Sequence, residues 1–514
     1  MKTLGRVIKD YLSNKAIAGG YSWNPGRIAS IVEKMVLSLM PVPVITYLVT
    51  KSLMISLTSI PVPAIPIVLT VVWASYSVNS VKENVEWELP FFMVLLDIVH
   101  DIGGDITHAF EISGRVGLKW INREWLLIKR YSLTTNSLTK AMQLRARSHP
   151  SIEFQRFMNG YVSVWSYSGD VTNYVRSVES TYLSMLNSRL SALSKQIIDI
   201  VLAVVSSVMI LILFIIITTI LGLNYAILYI MPAVSLLLPA FIMRVYQSIP
   251  YIIRMDLKHD RNMYIIIGSS ALLSAVAIIY LGINGLISLV IPPVLFSILV
   301  TQRINDIKSS VLSLPDVIRD ISEIVKAGVG IGTAIERVLD NPYPRTLLTY
   351  LRRIARFSGD VKIDGPWIIK YAINLLREVS NLGSPSRALD KLVEVFLELK
   401  ALIMNINYNA RSLQLLNYSL PFVFAGVTYI GKFVVSSLSS VIKNAPYTLV
   451  GLTIPNLNAI LMPLLIVAYI ISMSVTLLSS LLSDLTLNPS IKSVIPIPLT
   501  LALMFAAAEI PIIA

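Results

Sequence analysis

The chain has 514 residues and not one cysteine, and only four histidines. That removes a disulfide framework and thiol chemistry, and it leaves little material for a transition-metal site. Charge is scarce as well. Asp, Glu, Lys and Arg make up 14% of the residues, against about 25% in ordinary soluble domains. With 55% apolar residues and a mean hydropathy of +0.70, the chain reads as a polytopic membrane protein with sizeable soluble parts. Inside the apolar runs ionisable residues are also few, namely Asp199, Glu509 and Lys51. A protein that carries ions or protons normally shows more of them, so this shortage argues against a transporter.

What the chain does have is a pattern that occurs twice. A polar, helix-patterned block (80–195) precedes apolar segments, and a second block (301–411) precedes more of them. The blocks also match each other. Leu89-Pro90, Gly103, Ile106, Ala109 and Glu111 recur as Leu314-Pro315, Gly328, Ile331, Ala334 and Glu336, each pair 225 residues apart without a gap. Phe91, Leu95, Ile98, Val99 and Ile102 fall at helix spacing, as do Val317, Ile321, Ile324 and Val325. A glycine ends each run, and Asp105 is placed to cap the next helix. Neither block alternates as a strand would, and each is long enough for a small helical bundle.

Runs long enough to cross a hydrocarbon core of about 30 Å lie at 35–57, 60–78, 196–221, 224–243, 263–281, 283–300, 413–431, 459–478 and 494–514. The expected fold is therefore an all-α polytopic helical membrane protein with about nine transmembrane helices and two homologous cytosolic helical-bundle domains. The divisions are a cytosolic segment 1–34, helices 1–2 in 35–78, a first bundle 79–195, helices 3–6 in 196–300 around a cytosolic loop 244–262, a second bundle 301–412, and helices 7–9 in 413–514. Basic residues orient the chain. With the N-terminus inside, only Lys51, Lys432 and Lys443 of 43 Lys and Arg lie outside, and the C-terminus is extracytoplasmic. Residues 1–34 have no short apolar core with a cleavage site, so no signal peptide is expected there.

The net charge of +13 gathers on the cytosolic side. Three readings stand: the positive-inside bias alone, attraction to anionic headgroups, or a docking face for an acidic cytosolic partner. Nucleic acid fits poorly, because no basic and aromatic interleaving occurs. Asp97, His100, Asp101, Asp105 and His108 imitate a metal cluster, yet the second block has no histidine at the matching place. Gly328-Val-Gly330-Ile-Gly332 imitates a dinucleotide loop but follows a helix rather than a strand. Gly426 to Lys432 imitates a phosphate loop but is followed by Phe433 where Ser or Thr would bind Mg²⁺. No cofactor, no metal and no catalytic residue is expected, and the chain is not read as an enzyme.

Taken together, the Leu-Pro start, the Gly turn, the Ala and acidic residue, and a second Gly turn at Ser168-Gly169-Asp170 and Leu382-Gly383-Ser384 resemble the type II secretion F-domain family. These are platform proteins of type IV pili, type II secretion systems, Tad pili and archaeal flagella. The fit covers residues 89–220 and 314–430. The resemblance implies that Pro90, Gly103, Glu111, Gly169, Asp170, Pro315, Gly328, Glu336 and Gly383 are structural motif residues. It implies a multi-pass protein of the cytoplasmic membrane that couples a cytosolic hexameric secretion ATPase to insertion of pilin-like subunits into a filament, and it allows a homodimer. Two departures stand out. About nine spans resemble the long archaeal form rather than the three-span bacterial one, and Ser384 replaces the usual acid. If an acidic motor surface docks, the expected contacts are Lys129, Arg130, Arg145 and Arg147 in the first block and Arg352, Arg353 and Arg356 in the second. The alternative is a multi-pass permease whose cytosolic domains couple to a separate ATPase.

Overall fold

The computed structural model describes residues 2–51, 59–167, 171–220, 226–257, 261–356, 365–383, 386–444 and 457–510. Parts of the expected spans at 35–57, 196–221, 224–243 and 494–514, the Ser168-Gly169-Asp170 turn and Ser384 fall outside them. Every regular element among the described residues is helical. They divide into two compact units, one of residues 1–186 with 381–388, the other of 187–380 with 389–514.

The first unit begins with α1 (Lys2–Gly19), α2 (Pro25–Leu39) and α3 (Val42–Thr50). Asn24 caps α2 by accepting from the Arg27 amide at 3.1 Å, and Pro25 and Gly26 follow it. Ile8 and Leu12 of α1 bury against Ala29, Val32 and Val36 of α2 and against Ala74. The N-terminal segment is thus a packed helix, and the first apolar stretch of membrane-spanning length, Pro25–Leu48, runs through α2 into α3 and starts at 25 rather than at 35.

Ala74 belongs to α4 (Ile65–Asp101), which starts in an apolar span and runs on without a break into the first polar block. All residues from Glu88 to Val99 are buried. A helix buried on all sides must be wrapped on all sides; α5 (Ile106–Val116), α6 (Lys119–Thr135) and α8 (Ile152–Tyr167) pack on it, and α7 (Leu138–Ser148) packs on α6 and α8. Phe92 stacks on Phe110 at 4.7 Å, Phe110 stacks on Trp125 at 5.1 Å, and Phe157 meets Phe92 edge-on at 6.1 Å. The N-terminus of α6 is held by a buried carboxylate, since Glu88 Oε2 accepts from the Trp120 and Ile121 amides at 2.9 and 2.8 Å.

A column of rings links this bundle to the apolar part of α4. The Arg123 guanidinium lies 4.6 Å above the Tyr21 ring, Tyr21 stacks on Trp23 at 4.7 Å, and Trp23 stacks on Trp73 at 4.6 Å. The 50-residue α9 (Val171–Ile220) then leaves the block and re-enters apolar sequence. At 1.5 Å per residue it is about 75 Å long.

The second unit contains α10 (Ala226–Ser235), α11 (Leu237–Ser248) and α12 (Arg261–Leu281). A 3-10 stretch, Gly282–Val290, separates α12 from α13 (Ile291–Lys326). Ser274 and Ser288 each donate to the other's carbonyl, at 2.7 and 3.2 Å, and Met263 packs with Val300 and Ile304. The chain therefore reverses at Gly282, whose φ is +58°, and the fifth and sixth expected spans form one antiparallel hairpin.

The second block follows as α14 (Ile331–Val338), α15 (Arg345–Arg356) and α16 (Trp367–Asn381). Here α16 is the helix buried nearly all round. The unit closes with α17 (Ser386–Asn444), α18 (Leu457–Asp484), α19 (Ile491–Val494) and α20 (Pro496–Glu509). Asn187 of α9 donates to Glu398 of α17 at 2.5 Å, and Asn405 donates to Ser194 at 3.3 Å. Both pairs keep one offset, so α9 and α17 run parallel there.

Among the described residues seven stretches are long and apolar enough to cross a membrane, and a shorter one covers Met231–Gln247. All nine expected spans meet an apolar helix, but the fourth is too short to qualify by length, and the fifth and sixth count as one stretch. The polar loop ends of the second unit gather together. Lys308 donates to the Ser483 carbonyl and Asp484 at 2.5 and 3.0 Å, the Ile491 amide donates to Thr301 at 2.8 Å, and the Met255 amide donates to the Leu485 carbonyl at 3.1 Å. Lys432 instead reaches the carbonyls of Ala508 and Ile510, both at 2.7 Å.

Candidate functional site

The duplicated turn is the first feature the sequence singled out, and its geometry repeats in hydrogen-bond detail. Gly103 and Gly328 have φ of +78° and +87°. The Gly104 amide bonds the Val99 carbonyl at 2.9 Å and the Gly103 amide the His100 carbonyl at 3.0 Å. In the second repeat Val329 bonds Ile324 at 3.4 Å and Gly328 bonds Val325 at 2.9 Å. Both are Schellman caps, which need a left-handed residue and so favour glycine. Asp105 caps α5, accepting from the His108 amide at 3.0 Å and the Thr107 hydroxyl at 2.6 Å, whereas Gly330 at the matching position makes no side-chain cap. Ala109 and Ala334 are both buried, and Glu111 and Glu336 are both exposed. Gly383 has φ of +96° in the turn after α16.

Pro90 and Pro315 correct one expectation. They lie inside α4 and α13, both buried, and do not start a helix. The helix is already running in the apolar segment when it reaches them. Each proline costs one backbone bond without ending the helix.

The Asp and His group at the end of α4 and in the turn after it is engaged with other side chains. Arg176 of α9 stands 2.8 Å from Asp101 and 3.8 Å from Asp97. His100 lies 3.3 Å from the Tyr161 hydroxyl, and burial lowers its pKa against the pull of three aspartates. Among the described residues no three His, Asp or Glu side chains are arranged to hold a metal. Gly426 to Lys432 lies inside the continuous helix α17, so no phosphate-cradling loop exists there.

The basic candidates separate into three kinds. Arg145 is not on the surface at all. It is fully buried and grips Glu124 with two bonds, Nε at 2.5 Å and Nη2 at 3.1 Å. Its Nη1 reaches the carbonyls of Ile17 and Ala18 at 3.1 and 3.2 Å, while Arg123 reaches those of Gly19 and Gly20 at 2.6 and 3.1 Å. Two arginines therefore bond the C-terminal carbonyls of α1, of which the Ile17 carbonyl also accepts from the Gly20 amide at 3.1 Å. His149 completes the cluster, with Nε2 3.8 Å from Glu124. Its Nδ1 accepts from the Ser151 amide at 3.0 Å, which assigns the ring proton to Nε2. Burial, followed by the Arg145 charge, pushes its pKa down to about 3.

The second kind is exposed. Lys129, Arg130 and Arg147 face solvent on α6 and α7, with Lys129 paired to Glu111 at 3.1 Å. Arg352 and Arg353 face solvent on α15 and make no ion pair among the described residues. The third is Arg356, which ends α15 and whose side chain lies outside the described residues. His149, Arg123, Arg176 and Glu88 were not picked out from the sequence. A signal for Glu124 was present: it is the one acid in residues 119–148.

The turn, the bundle and the continuation of α9 into apolar sequence are the features on which a family comparison can decide. Residues 95–219 match the model of the family Type II secretion system (T2SS), protein F. No curated protein and no solved structure matches the chain. The protein F match covers the first repeat from the end of α4 through the Schellman turn and the Glu124–Arg145–His149 cluster to the last residues of α9. It agrees with the resemblance read from the sequence. Protein F implies, in general terms, a non-catalytic membrane platform of secretion or pilus-assembly machinery.

Proposed function

We propose that this chain is the core platform of a type IV pilus-like filament assembly machine in the cytoplasmic membrane. It takes up the conformational cycle of a cytosolic hexameric secretion ATPase and inserts pilin-like subunits from the bilayer into the growing filament. The observation that carries this reading is the protein F match on a first repeat whose turn recurs, bond for bond, in the second. Each repeat joins a helical block to apolar helices long enough to cross a bilayer, which suits a part that is driven from one side and acts within the membrane. The exposed Lys129, Arg130, Arg147, Arg352 and Arg353 suit an acidic motor surface. The N-terminus and both blocks face the cytosol in this reading, the C-terminus faces out, and two copies form the working unit.

The test is a mild-detergent pull-down of the tagged full-length protein, with mass spectrometry of its companions. Recovery of a secretion-type hexameric ATPase together with pilin-like subunits is expected. Recovery of a solute-binding protein or a transport ATPase instead would overturn the platform reading.

A further inference from the structure

The hairpin of α6 and α7 has an outer face that its helical bundle does not account for. On α6 the exposed positions Leu126, Lys129, Arg130 and Leu133 follow the i, i+3, i+4, i+7 spacing of a single helix face. On α7 Lys140, Gln143, Leu144 and Arg147 do the same. Leu126, Leu133 and Leu144 are 59%, 81% and 47% exposed. The Arg145–Glu124 pair fixes the hairpin register, which brings Leu126 level with Leu144 and Arg130 level with Lys140. Three exposed leucines set among cations on one small hairpin are a marked surface.

The charge of this face names its counterpart. Of the seven basic residues in 119–148, Arg145 is buried against Glu124, the one acid there, Arg123 is spent on the α1 carbonyls and Lys129 pairs with Glu111. That leaves Lys119, Arg130, Lys140 and Arg147 exposed as an excess of positive charge. We propose that the outer face of α6 and α7 docks an acidic protein surface that carries apolar side chains, and that the leucines supply most of the affinity while the cations steer the encounter. On the reading proposed above, on which this inference rests, the partner is the cytosolic ATPase. A bilayer fits the face less well. Membrane-surface helices present an unbroken apolar stripe with aromatic members, whereas here each leucine is flanked by cations and no exposed position is aromatic. The interfacial type of aromatic stands elsewhere in this unit, at Trp23 and Trp73. Among the described residues the second repeat does not duplicate the face. On α15 Arg345, Arg352 and Arg353 are exposed while Leu347, Tyr350 and Leu351 are buried. The two repeats thus offer a partner different chemistry, and the apolar grip belongs to the first.

The experiment uses the full-length protein in nanodiscs and the purified secretion ATPase of the same organism, with binding followed at low and high salt. Leu126→Ser, Leu133→Ser and Leu144→Ser combined should weaken binding about tenfold or more at both salts, as loss of buried anchors does. Lys129→Glu, Arg130→Glu and Arg147→Glu combined should slow association, and the deficit should shrink as salt rises. A photo-crosslinking side chain at position 133 should capture the ATPase. If the wild type binds but the triple serine variant stays within about twofold of it, the docking face is wrong and the platform reading stands. Capture of lipid by position 133 would also overturn the face, in favour of the bilayer. If the wild type fails to bind the ATPase, both readings fall.

Discussion

At the scale of single residues, Arg145 carries the most weight in the first bundle. A guanidinium that is fully buried, holds a carboxylate with two bonds and also caps a helix end cannot be removed singly without stranding Glu124. Arg145→Met is therefore expected to cost about 3–5 kcal/mol. The combination of Glu124→Gln with Arg145→Met should cost less than the sum of the two, as a double-mutant cycle on thermal unfolding in detergent would register. His149 gives the cluster a pH dependence. Its folded pKa of about 3 lies below an unfolded value of about 6.5. The unfolded chain takes up the proton first, so the stabilising difference is complete above the unfolded pKa and is lost as pH falls towards the folded one. The melting temperature of the wild type should drop between pH 7 and pH 4, to the extent set by about 1.4 kcal/mol per pH unit for one proton, and His149→Gln should flatten that slope.

At the scale of elements, glycine divides into two situations. Gly103 and Gly328 need their positive φ but have open space where a methyl group would sit, so Ala at either should cost only about 1 kcal/mol. Gly285 is the opposite. A Cβ there would come within 2.3 Å of the Ala277 carbonyl oxygen, and Gly285→Ala should open the α12–α13 hairpin at a cost of about 3 kcal/mol, visible as lower folded yield and earlier unfolding. The first situation was legible in the sequence, because a Schellman turn is local and its glycine follows directly from the helix it ends. The hairpin contact was not, since Gly285 against Ala277 depends on how two apolar helices pack. The prolines misled for a related reason. Leu-Pro marks a helix start only when no helix precedes it, and the apolar run before Pro90 had already supplied one. Arg145 misled because a basic residue in a basic stretch looks exposed until its acid, Glu124, is seen on the facing helix.

At the scale of the whole molecule, composition alone placed the chain among polytopic helical proteins, and each expected span meets an apolar helix among the described residues, though α4, α9 and α17 run many turns beyond theirs and the first stretch starts earlier. There Lys34 reads as a polar boundary, while the helix beginning at Pro25 passes through it. Topology can be tested directly because the chain has no cysteine of its own. With single cysteines introduced by Thr349→Cys on α15 and Ser440→Cys on α17, both exposed positions, an impermeant maleimide should label the second in intact cells and the first only after lysis. Labelling of both from one side would overturn the proposed orientation.

The column of Arg123, Tyr21, Trp23 and Trp73 also has an optical consequence. Two indoles stacked at 4.6 Å share their excited states, and a phenol and a guanidinium continue the stack. Any tilt of the bundle against the apolar part of α4 must slide or unstack these rings. The near-ultraviolet circular dichroism and tryptophan emission of the unlabelled protein would then register that tilt, so the chain carries its own strain gauge at the junction between its helical bundle and its apolar helix.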